Sequence, residues 1–169
     1  IFVEKLNNKK LILVIVPRHP ERFIEVEKIF KSQSLTIERK SKLENLVKTP
    51  KYILGDTMGD LYELYGAATL AIIGGSILNY GGQNPIEPMC SNIQTAVGPS
   101  IYNFKEMVLG AEKHNAIFRF KNIIELEKII KKLLREGQVN QGILKNAREY
   151  IKKSSGGTDK VVRLVNQYL

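Results

Sequence analysis

Short continuous apolar runs alternate along the chain with longer stretches of helical spacing, the pattern of βα units feeding a mostly parallel sheet. Leu11-Ile12-Leu13-Val14-Ile15-Val16 is the best strand candidate, uninterrupted and β-branched as expected of a strand covered on both faces, and it ends at Pro17-Arg18-His19-Pro20. Phe23, Val26, Ile29 and Phe30 then fall on one side of a helix, and Leu35 to Arg39 supplies another strand. Tyr52-Ile53-Leu54 follows, with the turn Gly55-Asp56-Thr57 and a helix whose core face is Leu61, Leu64, Tyr65 and Ala68; Asp56 or Thr57 is available as its N-cap. Leu70 to Ile73 reads as a buried strand, Gln94 to Val97 as a strand closed by Gly98-Pro99, residues 103–111 as a helix, and Ala116 to Phe120 as the last strand. Asn122 and Glu125 have capping-box spacing before an apolar stripe of Ile123, Leu126, Ile130 and Leu133/Leu134. Two further helices, split at Ser154-Ser155-Gly156-Gly157, close what reads as one doubly wound domain over residues 1–169.

A chain of 169 residues can bury a core without staples, and one cysteine, Cys90, precludes an internal disulfide framework and suits a small buried apolar role. The cysteine usage fits a reducing, cytoplasmic compartment. No apolar run has the ~20 residues needed to span a bilayer. The chain opens at Ile1, and Phe2 to Leu6 reads as the end of a helix, so the expectation is a piece of a longer protein. Its net charge of +9 raises attraction to phosphates, anionic membrane surfaces and nucleic acid alike, although much of the charge lies on helical faces that suit solvent.

The chemistry concentrates at three predicted strand ends. The longest is Gly74 to Pro88, four glycines with an amide pair and a carboxylate, leading into a helix that Pro85 can open. Parallel strands bring their carboxyl ends to one edge, so this loop, Pro17 to Pro20 and Gly55 to Gly59 are expected to line one crevice. Arg18, held between two prolines, can grip two phosphate oxygens, against the alternative of a surface salt bridge. His19 serves either as a ligand contact or as a backbone partner, and Asp56 alone suits a helix cap. Glu87 can accept both hydroxyls of a ribose or complement a helix start, and Asn84 can face ligand oxygens or cap the helix. The phosphate loop of NTPases, the first-strand Gly-x-Gly-x-x-Gly, a Gly-x-Ser-x-Gly elbow and any metal-ligand spacing are all missing.

Taken together, Val16-Pro17-Arg18-His19-Pro20-Glu21-Arg22-Phe23, Gly55-Asp56-Thr57-Met58-Gly59-Asp60-Leu61, Gly74-Gly75-Ser76, Gly81-Gly82-Gln83-Asn84-Pro85-Ile86-Glu87-Pro88 and Gly98-Pro99 resemble, in order and spacing, the signatures of the 3-deoxy-D-manno-oct-2-ulosonic acid (Kdo) transferases of lipopolysaccharide assembly. The resemblance implies an α/β, Rossmann-like domain, the C-terminal donor-binding half of a GT-B type glycosyltransferase, with the N-terminal acceptor domain absent from this chain. It implies that Pro17 and Arg18 contact the nucleotide of CMP-Kdo, Met58 and Gly59 line the pocket, Gly75 and Ser76 approach the donor, and Asn84 and Glu87 hold its ribose and phosphate region. No catalytic residue is expected here, because the family's general base belongs to the other half. No metal and no cofactor beyond the CMP-Kdo substrate are implied. The implied partners are CMP-Kdo and, through the full-length enzyme, a lipid A precursor at the cytoplasmic face of the bacterial inner membrane; residues 1–169 alone are expected to bind nucleotide without turnover. Gln83 departs from the histidine common in the family, and it can carry neither a positive charge nor a shuttled proton. The rival readings are a related nucleotide-sugar enzyme, an epimerase or a uridine-donor transferase, and a basic nucleic-acid-binding module. The last lacks interleaved aromatics and any RNP or KH signature, so no nucleic-acid partner is expected.

Overall fold

The computed structural model describes residues 4, 6, 11–45, 50–137 and 139–155. These fall into two compact units, Ile1–Leu61 and Tyr62–Leu169, and the strands form two three-stranded parallel sheets.

In the first unit, β1 (Leu13–Ile15) and β2 (Glu38–Arg39) flank β3 (Tyr52–Leu54), with Ile15 and Arg39 both level with Leu54. A helix, α1 (Phe23–Ser32), follows the 3-10 turn Pro20–Arg22. It presses Phe30 edge-on to Tyr52, with ring centroids 5.0 Å apart, and Leu11, Leu13, Ile15, Val26, Leu35 and Ile37 pack against that pair. β3 is buried along its length because it is the central strand. The expected double cover of the first strand is not found: Ile12, Val14 and Val16 are exposed, since β1 is an edge strand of this sheet and only its alternate side chains face the Phe30–Tyr52 pair. Ile29, expected on the core face of α1, is exposed as well.

In the second unit, β5 (Gln94–Val97) lies between β4 (Leu70–Ile72) and β6 (Phe118–Arg119). All of β5 is buried, including two polar side chains. Gln94 spends its amide on the Thr69 carbonyl (3.1 Å) and on the Asn140 N–H (2.9 Å), and the Thr95 hydroxyl donates to the Ile93 carbonyl, so neither is left unpaired. The helices are α2 (Leu61–Ala67), which begins at the boundary between units, α3 (Ile86–Cys90), α4 (Lys105–Lys113), α5 (Ile123–Glu136) and α6 (Gln141–Ser154). Ile73, Met89, Val97, Val108, Ala111, Ala116, Ile117, Ala147 and Tyr150 form the core. The core face foreseen for α2 holds, with Leu61, Leu64 and Tyr65 half-buried between exposed neighbours.

Asn122 caps α5 by accepting from the Glu125 N–H (3.0 Å), but the returning Glu125 carboxylate takes the Lys121 N–H (2.7 Å) rather than that of the cap residue. Gly137 ends the helix in the left-handed region at φ 60°. Cys90 corrects a second expectation: it is exposed, because Met89 is the residue that α3 turns into the core. Most of the opening segment Phe2 to Leu6 and the helix expected after Gly157 lie outside the described residues.

Leu126 is fully buried on α5, whereas Ile124 is 66% exposed one turn-position away. Leu126→Ala is expected to cost ~2–5 kcal/mol in urea unfolding, and Ile124→Ala to stay within ~0.5 kcal/mol.

Candidate functional site

Because β1 and β3 are parallel neighbours, the turns that leave them emerge at one edge, and the Gly55 N–H donates to the Ile15 carbonyl at 2.8 Å where they do so. Two of the three predicted turns, Pro17–Pro20 and Gly55–Asp60, therefore lie side by side in the first unit. The third belongs to the second unit.

Pro17 is half-buried, and Arg18 and His19 are exposed. Arg18 makes no hydrogen bond or ion pair with any described side chain, so its guanidinium is open to an anion. His19 is extended at the head of the turn Pro20–Arg22; its carbonyl accepts from the Arg22 N–H, and its ring caps nothing. Met58 is 78% exposed, and Gly59 beside it has φ +91°.

Asp56 does not cap α2. Its carboxylate accepts from the Ser41 N–H (3.0 Å) and the Ser41 hydroxyl (2.7 Å), at the head of the 3-10 segment Lys40–Asn45, and lies 3.7 Å from Arg39. Backbone N–H groups left over where β2 ends are a better match for a carboxylate than the start of its own helix. Arg39 forks onto Glu27 of α1 at 2.7 and 3.0 Å, and Lys40 binds Asp60 at 2.6 Å. Burial pushes the Asp56 carboxyl up, but the Ser41 groups, its own N–H and Arg39 outweigh it and hold the carboxyl below its ordinary value. The bonded Arg39 lowers Glu27, and the bonded Lys40 lowers Asp60, in the same way.

In the second unit the loop after β4 closes on itself: the Gly82 N–H donates to the Gly75 carbonyl (3.1 Å) and the Gln83 N–H to the Gly74 carbonyl (3.0 Å). Gly75, Gly81 and Gly82 all have positive φ, which lets the chain turn back within so few residues. The closed loop is pinned by the segment that leaves β5. The Ser100 hydroxyl accepts from the Gly81 N–H (2.8 Å), and the Asn103 amide donates to the Tyr80 and Gly82 carbonyls (3.1 and 3.3 Å).

Ser76 is the joint between the two segments. It is fully buried; its hydroxyl donates to the Ile73 carbonyl (2.7 Å) and accepts from the Gly98 N–H (2.8 Å), while its carbonyl accepts from the Ser100 N–H (2.9 Å). The backbones come so close that a Cβ on Gly98 would sit 2.4 Å from the Ser76 carbonyl oxygen. On the far side, Arg119 donates to the Val97 and Gly98 carbonyls. In this structure the Ser76 side chain is occupied by protein groups, whereas Gly75 before it is half-exposed.

Pro85 stands at the N-cap position of α3, and Asn84 serves as the side-chain cap, accepting from the Ile86 N–H (3.0 Å). Its amide nitrogen also donates to Glu87 (3.2 Å), which is half-buried in the first turn. The two residues thus act as a pair: Asn84 fixes the carboxylate, and the second carboxylate oxygen is available to a hydroxyl donor. Burial, with Glu87 as the next cause, pushes the Tyr65 phenol up to about 12, so it stays protonated. Gln83 is exposed and lies over Gly74. Among the described residues no group of three or more His, Cys, Asp or Glu side chains is placed to hold a metal ion, and no helix is long and apolar enough to cross a membrane. The roles of Arg39, Lys40, Ser41, Ser100 and Asn103 were not anticipated; the available signal was weak, since only Arg39, Lys40 and Ser41 lie at or directly after a predicted strand end.

No protein-family model matches the chain. It is 29% identical over 160 residues to a 3-deoxy-D-manno-octulosonic acid transferase of Haemophilus influenzae, covering 94% of this chain and 38% of that protein. It is 37% identical over 131 residues to the Aquifex aeolicus protein of the same name, covering 77% and 35% respectively. The chain therefore spans well under half the length of these relatives. Among solved structures it is similar to the C-terminal CMP-Kdo binding domain of WaaA from Acinetobacter baumannii, with a TM-score of 0.80 and 31% identity over 89% of this chain and 79% of that one.

Two expectations follow from the geometry. Gly98→Ala should cost ~1–3 kcal/mol, the range for an overpacked interior, because the added methyl meets backbone that Ser76 holds in place; urea unfolding measures it. The lowered carboxyls of Asp56, Glu27 and Asp60 contribute stability that is present above their ordinary unfolded values, 3.8 for Asp and 4.5 for Glu, and lost as pH falls through the depressed folded values. The urea midpoint should accordingly drop between ~pH 5 and ~pH 2, and drop less steeply in Asp56→Asn.

Proposed function

We propose, from the fact that the chain belongs to the 3-deoxy-D-manno-octulosonic acid transferase family, that it is the donor-binding domain of an inverting glycosyltransferase: it holds CMP-Kdo while Kdo passes to a lipid A precursor. The observation that carries this is the match to a CMP-Kdo binding domain over 89% of the chain, together with an exposed Arg18 at a strand carboxyl end that pairs with no described side chain.

In the reaction, an acceptor hydroxyl oxygen attacks the anomeric carbon of Kdo from the face opposite the nucleotide. The bond from that carbon to the phosphate oxygen breaks with its electron pair going to CMP, and the hydroxyl proton passes to a base outside this chain. What the domain supplies is binding and charge stabilisation. Arg18 meets the phosphate as negative charge develops on it. Glu87, held by Asn84, accepts the ribose hydroxyls, and Pro17, Met58, Gly59 and Gly75 complete the contacts; Ser76, expected to approach the donor, is buried and bonded within the protein, so it shapes the loop instead. Gln83 offers neutral hydrogen bonds only, so any cationic help to the phosphate falls to Arg18. With a lipid acceptor, the reading puts the full-length enzyme's work at a membrane surface, in keeping with the cytoplasmic face of the inner membrane.

Isothermal calorimetry tests this directly. The chain should bind CMP in preference to UMP, and Arg18→Ala should weaken CMP binding by ~1.5–3 kcal/mol, the range for a charged hydrogen bond. A preference for UMP would favour a uridine-donor enzyme, and unchanged CMP affinity would remove Arg18 from the site.

A further inference from the structure

The apex of the turn that carries Met58 and Gly59 packs against little. Met58 is 78% exposed, and a Cβ on Gly59 would meet nothing within 4 Å, so the apex has no packing to fix its shape. Both flanks of the apex are instead tied to three consecutive residues of the neighbouring strand end. Asp56, whose side chain is only 5% exposed, is bound by both the N–H and the hydroxyl of Ser41 and faces Arg39 at 3.7 Å. Asp60, on the other flank, is bound by Lys40 at 2.6 Å. Arg39 is in turn oriented by its two bonds to Glu27 on α1.

We propose that Asp56 is a positioning residue for donor binding: with Ser41 and Arg39 behind it and the Lys40–Asp60 pair opposite, it clamps the Gly55–Asp60 turn so that Met58 and Gly59 are presented to the nucleotide in one conformation. The inference rests on the donor-binding reading above. Its physical basis is preorganisation. An exposed apex that samples many conformations must be ordered when the ligand binds, and a clamp that orders it beforehand removes that cost from the binding equilibrium. Charge alone would not need this arrangement, because Asp56 faces its partners within the protein and is too well buried to offer its carboxylate to a ligand. A carboxylate would in any case repel a phosphate.

The test is CMP titration of the chain carrying Asp56→Ala, Asp56→Asn or Ser41→Ala, with Lys131→Met, which removes a surface pair with Glu127 on α5, as control. Asp56→Ala should raise the Kd for CMP about tenfold, and Ser41→Ala by about threefold. Asp56→Asn retains an acceptor for the Ser41 N–H and should recover most of the affinity. The Lys131→Met variant should match wild type. The methyl resonance of Met58 gives the readout that a general loss of stability would not move: it should broaden or shift toward its random-coil position in Asp56→Ala while methyls of the Met89 core stay in place. In the full-length enzyme the same variant should raise the KM for donor and leave kcat within about twofold. Folded Asp56→Ala and Ser41→Ala variants that bind CMP within twofold of wild type, with Met58 unperturbed, would overturn the proposal. If Asp56→Ala fails to fold, the milder Ser41→Ala decides by the same criteria. Failure of wild type itself to bind CMP is a different result: it removes the donor-binding reading and the clamp's proposed purpose with it.

Discussion

Where a parallel strand ends, backbone N–H and C=O groups lose their ladder partners just where the chain must turn, and each one left buried and unpaired would cost ~1–3 kcal/mol. Most of the structured turns in this protein are answers to that constraint. Ser76 takes up groups just past the ends of both β4 and β5 with one hydroxyl and one carbonyl. Arg119 covers the carbonyls of Val97 and Gly98 at the end of β5, Asn103 covers two more in the glycine-rich loop, and Asp56 collects the Ser41 N–H past the end of β2. Small polar side chains can do this because they reach their own or neighbouring backbone without disturbing the apolar layers beneath.

The same solution separates groups that hold from groups that present. Ser76, Asp56, Ser100 and Asn103 are spent on protein partners. Arg18, Met58 and Gly59 stand exposed at the sheet edge of the first unit, and in the second the Asn84–Glu87 pair leaves a carboxylate oxygen uncommitted. Within each unit, groups presented this way are aimed by the backbone turns that carry them. Glycine is needed for more than one reason: positive φ in the closed loop, and at Gly98 sheer proximity to the Ser76 carbonyl.

Much of this was legible in the sequence. Tyr52 to Leu54 and Gln94 to Val97 marked the two central strands residue for residue, although Gln94 and Thr95 in the second are polar and are buried only because their side chains find hydrogen-bond partners. Reading a continuous apolar run as covered on both faces misread β1, which packs on alternate residues only. Cys90 and Ile29 were assigned inward from residue type and spacing, and Met89 and the half-buried Glu27 took the inward places. Asp56 was misplaced for a different reason: a cap is local and visible in sequence, whereas its partner Ser41 lies 15 residues away and becomes a neighbour only when β2 and β3 pair. The glycine-rich signatures mark turns that the structure places at strand ends, but the residues that hold those turns are separated from them in sequence and carry no local pattern of their own.

A crystal of the chain soaked with CMP tests the central claim, that these strand-end turns form a nucleotide-binding surface. The account predicts CMP density in contact with the Arg18 guanidinium, with the Gly55–Asp60 turn and its Asp56–Ser41 bonds unchanged from the structure described here. Ordered CMP bound away from Arg18, Met58, Gly59, Asn84 and Glu87 would contradict it.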